Sequence, residues 1–230
     1  IVHNQAKIEA LAKSYDQIKN FSKAYEYFEE LNKFALVFNP DNADKKIFLE
    51  LVEKRINYFN KDNTKKWTQI KNIDEKNEPV FLIGFPRSGT TLLDTILRSH
   101  PTVEVLEEIP LINYFVENLE KKIGLDLNKL ENIDKNVIDE MRNFYFEKRR
   151  NYFDTTKKSI CIDKMPLNLI HVGEIYRFFP KAKFIFAIRN PKDSVLSCFM
   201  QNFTINNAMA NFLKLEDSAH LYNKVMRLWK

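Results

Sequence analysis

Residues 80–93, with the sequence VFLIGFPRSGTTLL, constrain the fold of this chain more than any other segment. A short apolar run leads into a loop with two glycines, an arginine and three hydroxyl residues, and a second apolar run follows at helical spacing. This order predicts a strand, an anion-binding loop and a helix N-terminus, where free backbone N–H groups and the helix dipole favour negative charge. A tight turn without a ligand is the alternative, which the composition of the loop disfavours.

The glycine spacing of this loop matches that of phosphate-binding P-loops. The pattern G-x-x-x-x-G-K-[ST] fits Gly84 and Gly89, but Thr90 stands where the pattern has lysine. A nucleoside triphosphatase uses that lysine on the phosphates of its nucleotide. Here Arg87 lies inside the loop and can donate a fork of hydrogen bonds to a phosphate or sulfonate. Further backbone and hydroxyl donors come from Ser88, Gly89, Thr90 and Thr91. We therefore expect a nucleotide anion other than ATP or GTP in their usual role.

From residue 79 onward, apolar runs of strand length alternate with segments of helical periodicity. Strands are predicted at residues 81–84, 103–106, 159–163 and 183–188. Helices are predicted at 90–99, 110–122, 136–152, 167–178 and from 193 to about 202. This alternation predicts an α/β fold, with a P-loop-like parallel sheet flanked by helices and right-handed crossovers. Ligands of such sheets bind beyond the carboxyl ends of the strands.

The first 60 residues have helical periodicity. Two apolar faces are predicted, one of Ala6, Leu11, Ala12, Tyr15 and Ile18, and one of Ala24, Tyr25, Phe28, Leu31, Phe34 and Ala35. With the turn at 20–22 and Asn39-Pro40, this hairpin resembles the last tetratricopeptide repeat of an array; a plain helical hairpin is the alternative. A third helix is predicted at 45–58. The predicted organisation is a helical segment at 1–60, a polar linker at 61–78 and an α/β domain at 79–230.

Composition narrows the classes of protein and of ligand. Net charge is +5 with a sequence pI near 9.0, which indicates solvated lysine-rich faces with some bias toward anionic ligands. The two cysteines, Cys161 and Cys198, predict neither a disulfide framework nor a zinc site, and they favour a reducing, cytoplasmic location. We expect no membrane segment, since every apolar run is shorter than about 18 residues. We also expect no nucleic-acid partner. The chain starts at Ile1 without methionine and stops within a helical pattern, so we expect a fragment truncated at both ends, with an incomplete C-terminus.

A second polar cluster follows the apolar run KFIFAI. Arg189 ends the predicted strand, and Ser197 lies about one turn into the next helix, so both could reach one anion at the crevice. The corresponding strand of a triphosphatase ends in a magnesium-binding Asp, and Arg189 therefore disfavours that class again. A surface arginine followed by a helix-capping Asn190-Pro191 turn is the alternative.

The motifs PRSGTTLL and FIFAIRNPKDSVLS, about 100 residues apart, together resemble the sulfotransferases that use 3′-phosphoadenosine-5′-phosphosulfate (PAPS). The resemblance covers residues 78–203. The helical N-terminus makes the chain similar to bacterial sulfotransferases fused to tetratricopeptide repeats, and the catalytic part is similar to the tyrosylprotein sulfotransferases. The resemblance implies PAPS as donor, 3′,5′-ADP as product and a hydroxyl acceptor. A peptide tyrosine, a sugar and a small-molecule alcohol or phenol all remain open as the acceptor.

The resemblance also implies roles for individual residues. Residues 87–91 would bind the 5′-phosphosulfate, and Arg189 and Ser197 would bind the 3′-phosphate. Glu108, eight residues after His100-Pro101, would be the general base, and its neighbour Glu107 remains open for that role. Lys164 would stabilise charge on the leaving phosphate. No metal is expected, because Arg87 and Lys164 supply the positive charge.

Two other functions compete with this hypothesis. An ATP-dependent small-molecule kinase on the same fold is disfavoured by Thr90 and by Arg189. An interaction module, with a partner-binding repeat and an inactive α/β domain, is disfavoured by the intact set of candidate residues. The helical repeat is a candidate surface for a protein partner under the sulfotransferase hypothesis as well.

Overall fold

The computed structural model describes residues 2–37, 42–68, 78–154 and 159–229. These residues form two compact units. The first comprises described residues within 1–53 and 190–226, and the second comprises those within 54–189 and 227–230. The predicted Asn39-Pro40 signal and half of the predicted linker at 61–78 lie outside the described residues, so the predicted domain division stays a prediction.

The first unit is helical, as predicted for the N-terminal segment. Its hairpin consists of α1 (Val2–Gln17) and α2 (Phe21–Val37). Lys19 takes a left-handed φ of 62° at the turn, and the Asn20 side chain accepts a hydrogen bond from the Lys23 N–H at 3.3 Å, which caps α2. The remaining elements that contribute to this unit are α3 (Lys45–Tyr58), α9 (Pro191–Phe199), a 3-10 helix at Met209–Phe212 and α10 (Leu215–Trp229).

The core of the helical unit joins the hairpin to α9. Its buried members are Ala12, Ala24, Phe28, Leu31 and Phe199. The predicted apolar faces are only partly correct, because Ala6, Ile18 and Tyr25 are exposed. The Tyr25 ring nevertheless stacks on Phe199 at a centroid distance of 5.3 Å. Periodicity located the helices correctly but overestimated the width of the buried stripe.

The second unit is the predicted α/β layer structure. Its strands are β1 (Val80–Gly84), β2 (Val103–Glu107), β3 (Ile160–Lys164) and β4 (Lys183–Ala187). Its helices are α4 (Lys61–Lys65), α5 (Thr90–Arg98), α6 (Leu111–Ile123), α7 (Lys135–Arg150) and α8 (Val172–Phe178), with 3-10 helices at Leu127–Leu130 and Pro166–His171. The α/β class and the parallel sheet are thereby confirmed.

The sheet has the strand order β2-β3-β1-β4, and all three pairings are parallel. Phe81, Leu82 and Ile83 of the central strand β1 are completely buried, as expected for a parallel strand covered on both faces. Gly84 pairs with Ala187, and Lys164 pairs with Glu107. The carboxyl ends of all four strands therefore meet along one edge of the sheet.

The segment after β3 differs from its predicted single helix at 167–178. A 3-10 helix begins at Pro166, where the Asn168 N–H donates to the Met165 carbonyl at 3.0 Å, and α8 starts only at Val172. The Asn168 side chain points back and contacts the Asp163 carboxylate at 3.5 Å. This local contact competes with α-helical geometry at the start of the segment.

None of the helices in the described parts of the chain is both long and apolar enough to cross a membrane.

Candidate active site

The loop after β1 has the geometry of an anion-binding turn. Gly89 is the N-cap of α5 with a left-handed φ of 93°, and its position offers no side-chain cap to the first N–H groups of the helix. Arg87 is also left-handed, with a φ of 65°. The Ser88 hydroxyl is buried and has no hydrogen-bond partner among the described residues. An unpaired buried hydroxyl beside an uncapped helix N-terminus fits a phosphate or sulfonate group, which accepts such hydrogen bonds.

Gly84 allows this loop to approach β4 closely. A Cβ atom at this position would lie 2.6 Å from Ser88 Oγ and 2.7 Å from the carbonyl oxygen of Ala187. The second of these atoms belongs to the backbone of the neighbouring strand and cannot move aside cheaply. The first glycine of the predicted motif is therefore required by the packing of the loop against the sheet.

Lys164, at the end of β3, is the residue around which the charged side chains at this edge are arranged. Its side chain is 0% exposed, and its ammonium donates to Glu107 Oε1 and to Glu108 Oε1, each at 3.1 Å. A buried ammonium is strongly destabilising unless it is paired and hydrogen-bonded. The two carboxylates meet that requirement, and they remain half-exposed themselves, at 49% and 56%.

The backbone at Glu108 explains how two adjacent glutamates reach one ammonium. Successive side chains of an extended strand point to opposite faces of the sheet. Glu108 departs from this alternation with a left-handed φ of 54°, and its N–H donates to the Lys164 carbonyl oxygen at 2.7 Å. The turn brings its carboxylate to the same side as that of Glu107. A left-handed glutamate is strained, and such strain is concentrated at functional sites.

Asp94 and Arg98 join this cluster, and the sequence reasoning missed both. They lie one turn apart on α5, and Asp94 is 2% exposed. Hydrogen bonds from Arg98 reach both carboxylate oxygens of Asp94, and this pairing raises the pKa of Arg98. An acidic residue four positions before an arginine, in a helix whose other residues are uncharged, was the available signal.

Arg189 lies just beyond β4 and contacts the loop directly. Its Nη1 donates to the Arg87 carbonyl oxygen at 3.4 Å. Ser197 lies on α9 of the helical unit and is half-buried. The structure thus brings Arg87 and Arg189 together, and the joint action of Arg189 and Ser197 on one anion stays a prediction.

A second buried polar group lies beside Lys164 in the chain. The Asp163 carboxylate is 1% exposed and accepts a hydrogen bond from the Tyr145 hydroxyl at 3.1 Å. Burial raises the pKa of Asp163 to about 7 and holds the pKa of Tyr145 well above its ordinary value. Burial also raises the pKa of Cys161 to about 12, so this thiol is a poor nucleophile near neutral pH.

The described residues contain no group of three or more His, Cys, Asp or Glu side chains arranged to hold a metal ion. The positive charge described at the edge of the sheet comes from Arg87, Arg98, Lys164 and Arg189.

Comparison with known proteins gives matches of two kinds. The model of the sulfotransferase family matches residues 79–230. An uncharacterized protein of Aquifex aeolicus (strain VF5) is 27% identical over 230 residues, an alignment that covers 95% of this chain and 29% of that protein.

Protein-tyrosine sulfotransferases also match. Protein-tyrosine sulfotransferase 1 of Rattus norvegicus is 32% identical over 139 residues, which cover 56% of this chain and 36% of the rat protein. The protein-tyrosine sulfotransferase of Drosophila melanogaster is 28% identical over 131 residues, covering 55% of this chain and 26% of the fly protein. The chain therefore spans about a third of the length of these relatives.

Proposed function

The chain belongs to the sulfotransferase family, and on this premise we propose that it transfers a sulfuryl group from PAPS to a hydroxyl acceptor. The observation that carries the proposal is the buried ammonium of Lys164, hydrogen-bonded to two half-exposed glutamates at the sheet edge where the anion-binding loop also lies. Such a cluster places one cation and a candidate base together, which in-line transfer of an anionic group requires.

Donor binding is assigned to the loop and to the end of β4. Backbone and hydroxyl donors of Ser88, Gly89, Thr90 and Thr91 hold the 5′-phosphosulfate, with the Arg87 guanidinium. Arg189 and Ser197 bind the 3′-phosphate, because a planar guanidinium is suited to bidentate recognition of a phosphate. PAPS supplies the activated sulfuryl group, and the unpartnered Ser88 hydroxyl supports an anionic ligand in the loop.

The reaction is assigned to three side chains. Glu108 removes the proton from the acceptor hydroxyl, whose oxygen forms a bond to sulfur while the bond between sulfur and the bridging phosphate oxygen breaks. Lys164 and Arg87 stabilise the negative charge that remains on 3′,5′-ADP. Loss of one such well-placed donor costs on the order of 10²–10³ in rate. This assignment needs no metal.

A peptide tyrosine is the acceptor that we propose to test first. The support is the similarity to protein-tyrosine sulfotransferases of rat and fly. A sugar hydroxyl and a small-molecule phenol are the next acceptors to test. We also propose that the helical hairpin is a tetratricopeptide-like repeat that binds a protein partner and that the protein acts in the cytoplasm. The succession of the two helices α1 and α2 is the observation on which the assignment of the repeat rests.

Calorimetric titration tests the donor class. The chain and its Arg189→Ala variant are titrated with 3′,5′-ADP, with 5′-ADP and with Mg-ATP. We expect magnesium-independent binding of 3′,5′-ADP that is weaker in Arg189→Ala. Arg150→Ala removes an exposed arginine of α7 and is the matched control, for which we expect unchanged binding. A preference for Mg-ATP would contradict the proposal and restore the kinase hypothesis.

A further inference from the structure

The side chain of Arg98 links two carboxylates of the candidate active site. Its Nε donates to Asp94 Oδ1 at 2.9 Å, and its Nη2 donates to Oδ1 and Oδ2, each at 2.7 Å. The same Nη2 lies 3.6 Å from Glu107 Oε2. Arg98 and Glu107 are about half-exposed, so their contact contributes little to stability. The contact therefore orients the Glu107 carboxylate more than it stabilises the folded protein.

The three contacts from Arg98 occupy a carboxylate that also lies near Lys164. Asp94 is buried, and its Oδ2 lies 3.9 Å from Lys164 Nζ, beyond hydrogen-bond distance. Because Arg98 occupies both oxygens of Asp94, this buried carboxylate does not draw the ammonium away from the glutamates. Without Arg98, Asp94 would be a buried charge lacking its main partner, and among the described residues Lys164, at 3.9 Å, would be the cation available to it.

Arg98 also makes the two glutamates unequal. Glu107 contacts a cation with each oxygen, Lys164 through Oε1 and Arg98 through Oε2. For Glu108, the described residues supply one cation, Lys164, at Oε1. Glu107 is therefore held by a cation at each oxygen, whereas Glu108 is held at Oε1 and can turn Oε2 toward an acceptor hydroxyl.

We propose that Asp94 and Arg98 are positioning residues of this site. Arg98 ties Glu107 to Asp94, which makes Glu107 an anchor of Lys164 and leaves Glu108 as the carboxylate that accepts the acceptor's proton. This assignment rests on the proposed function and chooses between the two glutamates that the sequence left open. Asp94 and Arg98 act through Lys164 and Glu107, without touching the reacting atoms.

Kinetics of sulfuryl transfer from PAPS to a tyrosine-containing peptide give the first test. Arg98→Met removes the charge and keeps the length of the side chain. We expect its kcat to fall about 10- to 100-fold with an unchanged KM for PAPS, since a misplacement of about 1 Å can cost about 100-fold. Arg98→Lys, which keeps a cation, should restore part of the loss. Arg150→Met, at an exposed position of α7, is the matched control with unchanged kcat.

A double-mutant cycle identifies the partner through which Arg98 acts. In the Glu107→Gln background, Arg98→Met should cause little further loss of kcat, because both changes remove the same link. Glu108→Gln alone should cost on the order of 10²–10³ in kcat, and Glu107→Gln clearly less. Additive effects of Arg98→Met and Glu107→Gln, or an equal loss in the two glutamine variants, would overturn the proposal.

Crystal structures of Arg98→Met and of the unmodified chain test positioning without any assay. We expect Lys164 Nζ to move within hydrogen-bond distance of Asp94 and away from Glu108 in the variant. An unmoved ammonium would overturn the proposal. If the unmodified chain transfers no sulfuryl group to any acceptor, the proposed function fails, while the structures still decide whether Arg98 positions Lys164.

Discussion

At the residue scale, the unusual backbone of Glu108 is the most informative feature. Its left-handed φ of 54° brings its carboxylate to the Lys164 ammonium, where Glu107 already binds. A side chain with a Cβ atom is disfavoured in this geometry by about 1–2 kcal/mol. The arrangement is retained because the buried ammonium of Lys164 gains a second carboxylate and because the Glu108 N–H bonds to the Lys164 carbonyl.

Replacement of Glu108 by glycine and by alanine measures this strain. Both variants lose the carboxylate and differ only in the Cβ atom, so we expect Glu108→Gly to be more stable than Glu108→Ala by about 1 kcal/mol. The measurement is the free energy of unfolding in urea. Glu107, at the extended end of β2, is the matched control, where alanine should be the more stable residue by about 0.5–1 kcal/mol. If the glycine and alanine variants had the same order of stability at both positions, that result would contradict a left-handed backbone at Glu108.

At the scale of elements, the end of β3 is held from both faces. On one face Lys164 meets α5 and the end of β2, and on the other Asp163 accepts a hydrogen bond from Tyr145 of α7. Asn168 of the following 3-10 helix contacts the same Asp163 carboxylate. This polar network fixes the strand end that carries Lys164, and its cost is a buried carboxyl whose pKa is about 7.

The pKa of Asp163 predicts a pH-dependent stability. Between about pH 4 and pH 7 the unfolded chain has lost a proton that folded Asp163 retains, so the free energy of unfolding falls as pH rises. We expect the free energy of unfolding of the unmodified chain, relative to that of Asp163→Asn, to fall by about 1 kcal/mol per pH unit over that interval and then to level off.

Urea unfolding at several pH values from about 5 to about 8 measures this difference. Asp139→Asn, on α7, controls for the loss of an exposed carboxylate. A difference in the free energy of unfolding that does not change with pH would show that folded Asp163 is ionised throughout this range, and it would contradict a pKa raised by burial.

At the scale of the whole molecule, the strand-end residues of the candidate site belong to the α/β unit, whereas Ser197 and the predicted repeat belong to the helical unit. Arg87, Glu108, Lys164 and Arg189 all come from segments that end parallel strands of one sheet. A ligand bound there should stabilise the α/β unit, because it binds the folded state and not the unfolded chain.

Thermal unfolding with nucleotides tests this statement. A 3′,5′-ADP concentration of about 100 times Kd adds about 2.7 kcal/mol, which we expect to raise the Tm of the transition that includes the loop by about 5–10 °C. At the same concentration, 5′-ADP should raise it less, because it lacks the 3′-phosphate. Gly84→Ala, which would clash with the Ala187 carbonyl, should lose most of the shift. Equal stabilisation by both nucleotides would contradict recognition of the 3′-phosphate.

The sequence by itself determined the class of fold and the position of its loop. Alternating apolar runs predict strands and helices because side-chain periodicity is a local property, and Gly89 meets a local need for a left-handed backbone at the start of α5. The ends of all four predicted strands agree with the structure to within one or two residues.

Only the tertiary structure decided how the charges of the site are shared. Lys164 lies 57 and 56 residues from Glu107 and Glu108, and the pairing of β2 with β3 brings them together. Asp94 and Arg98 belong to the site because α5 places them against that strand end. The local pattern could not reveal these contacts, since the burial and partners of a charge depend on the register of distant strands and the face that a helix presents.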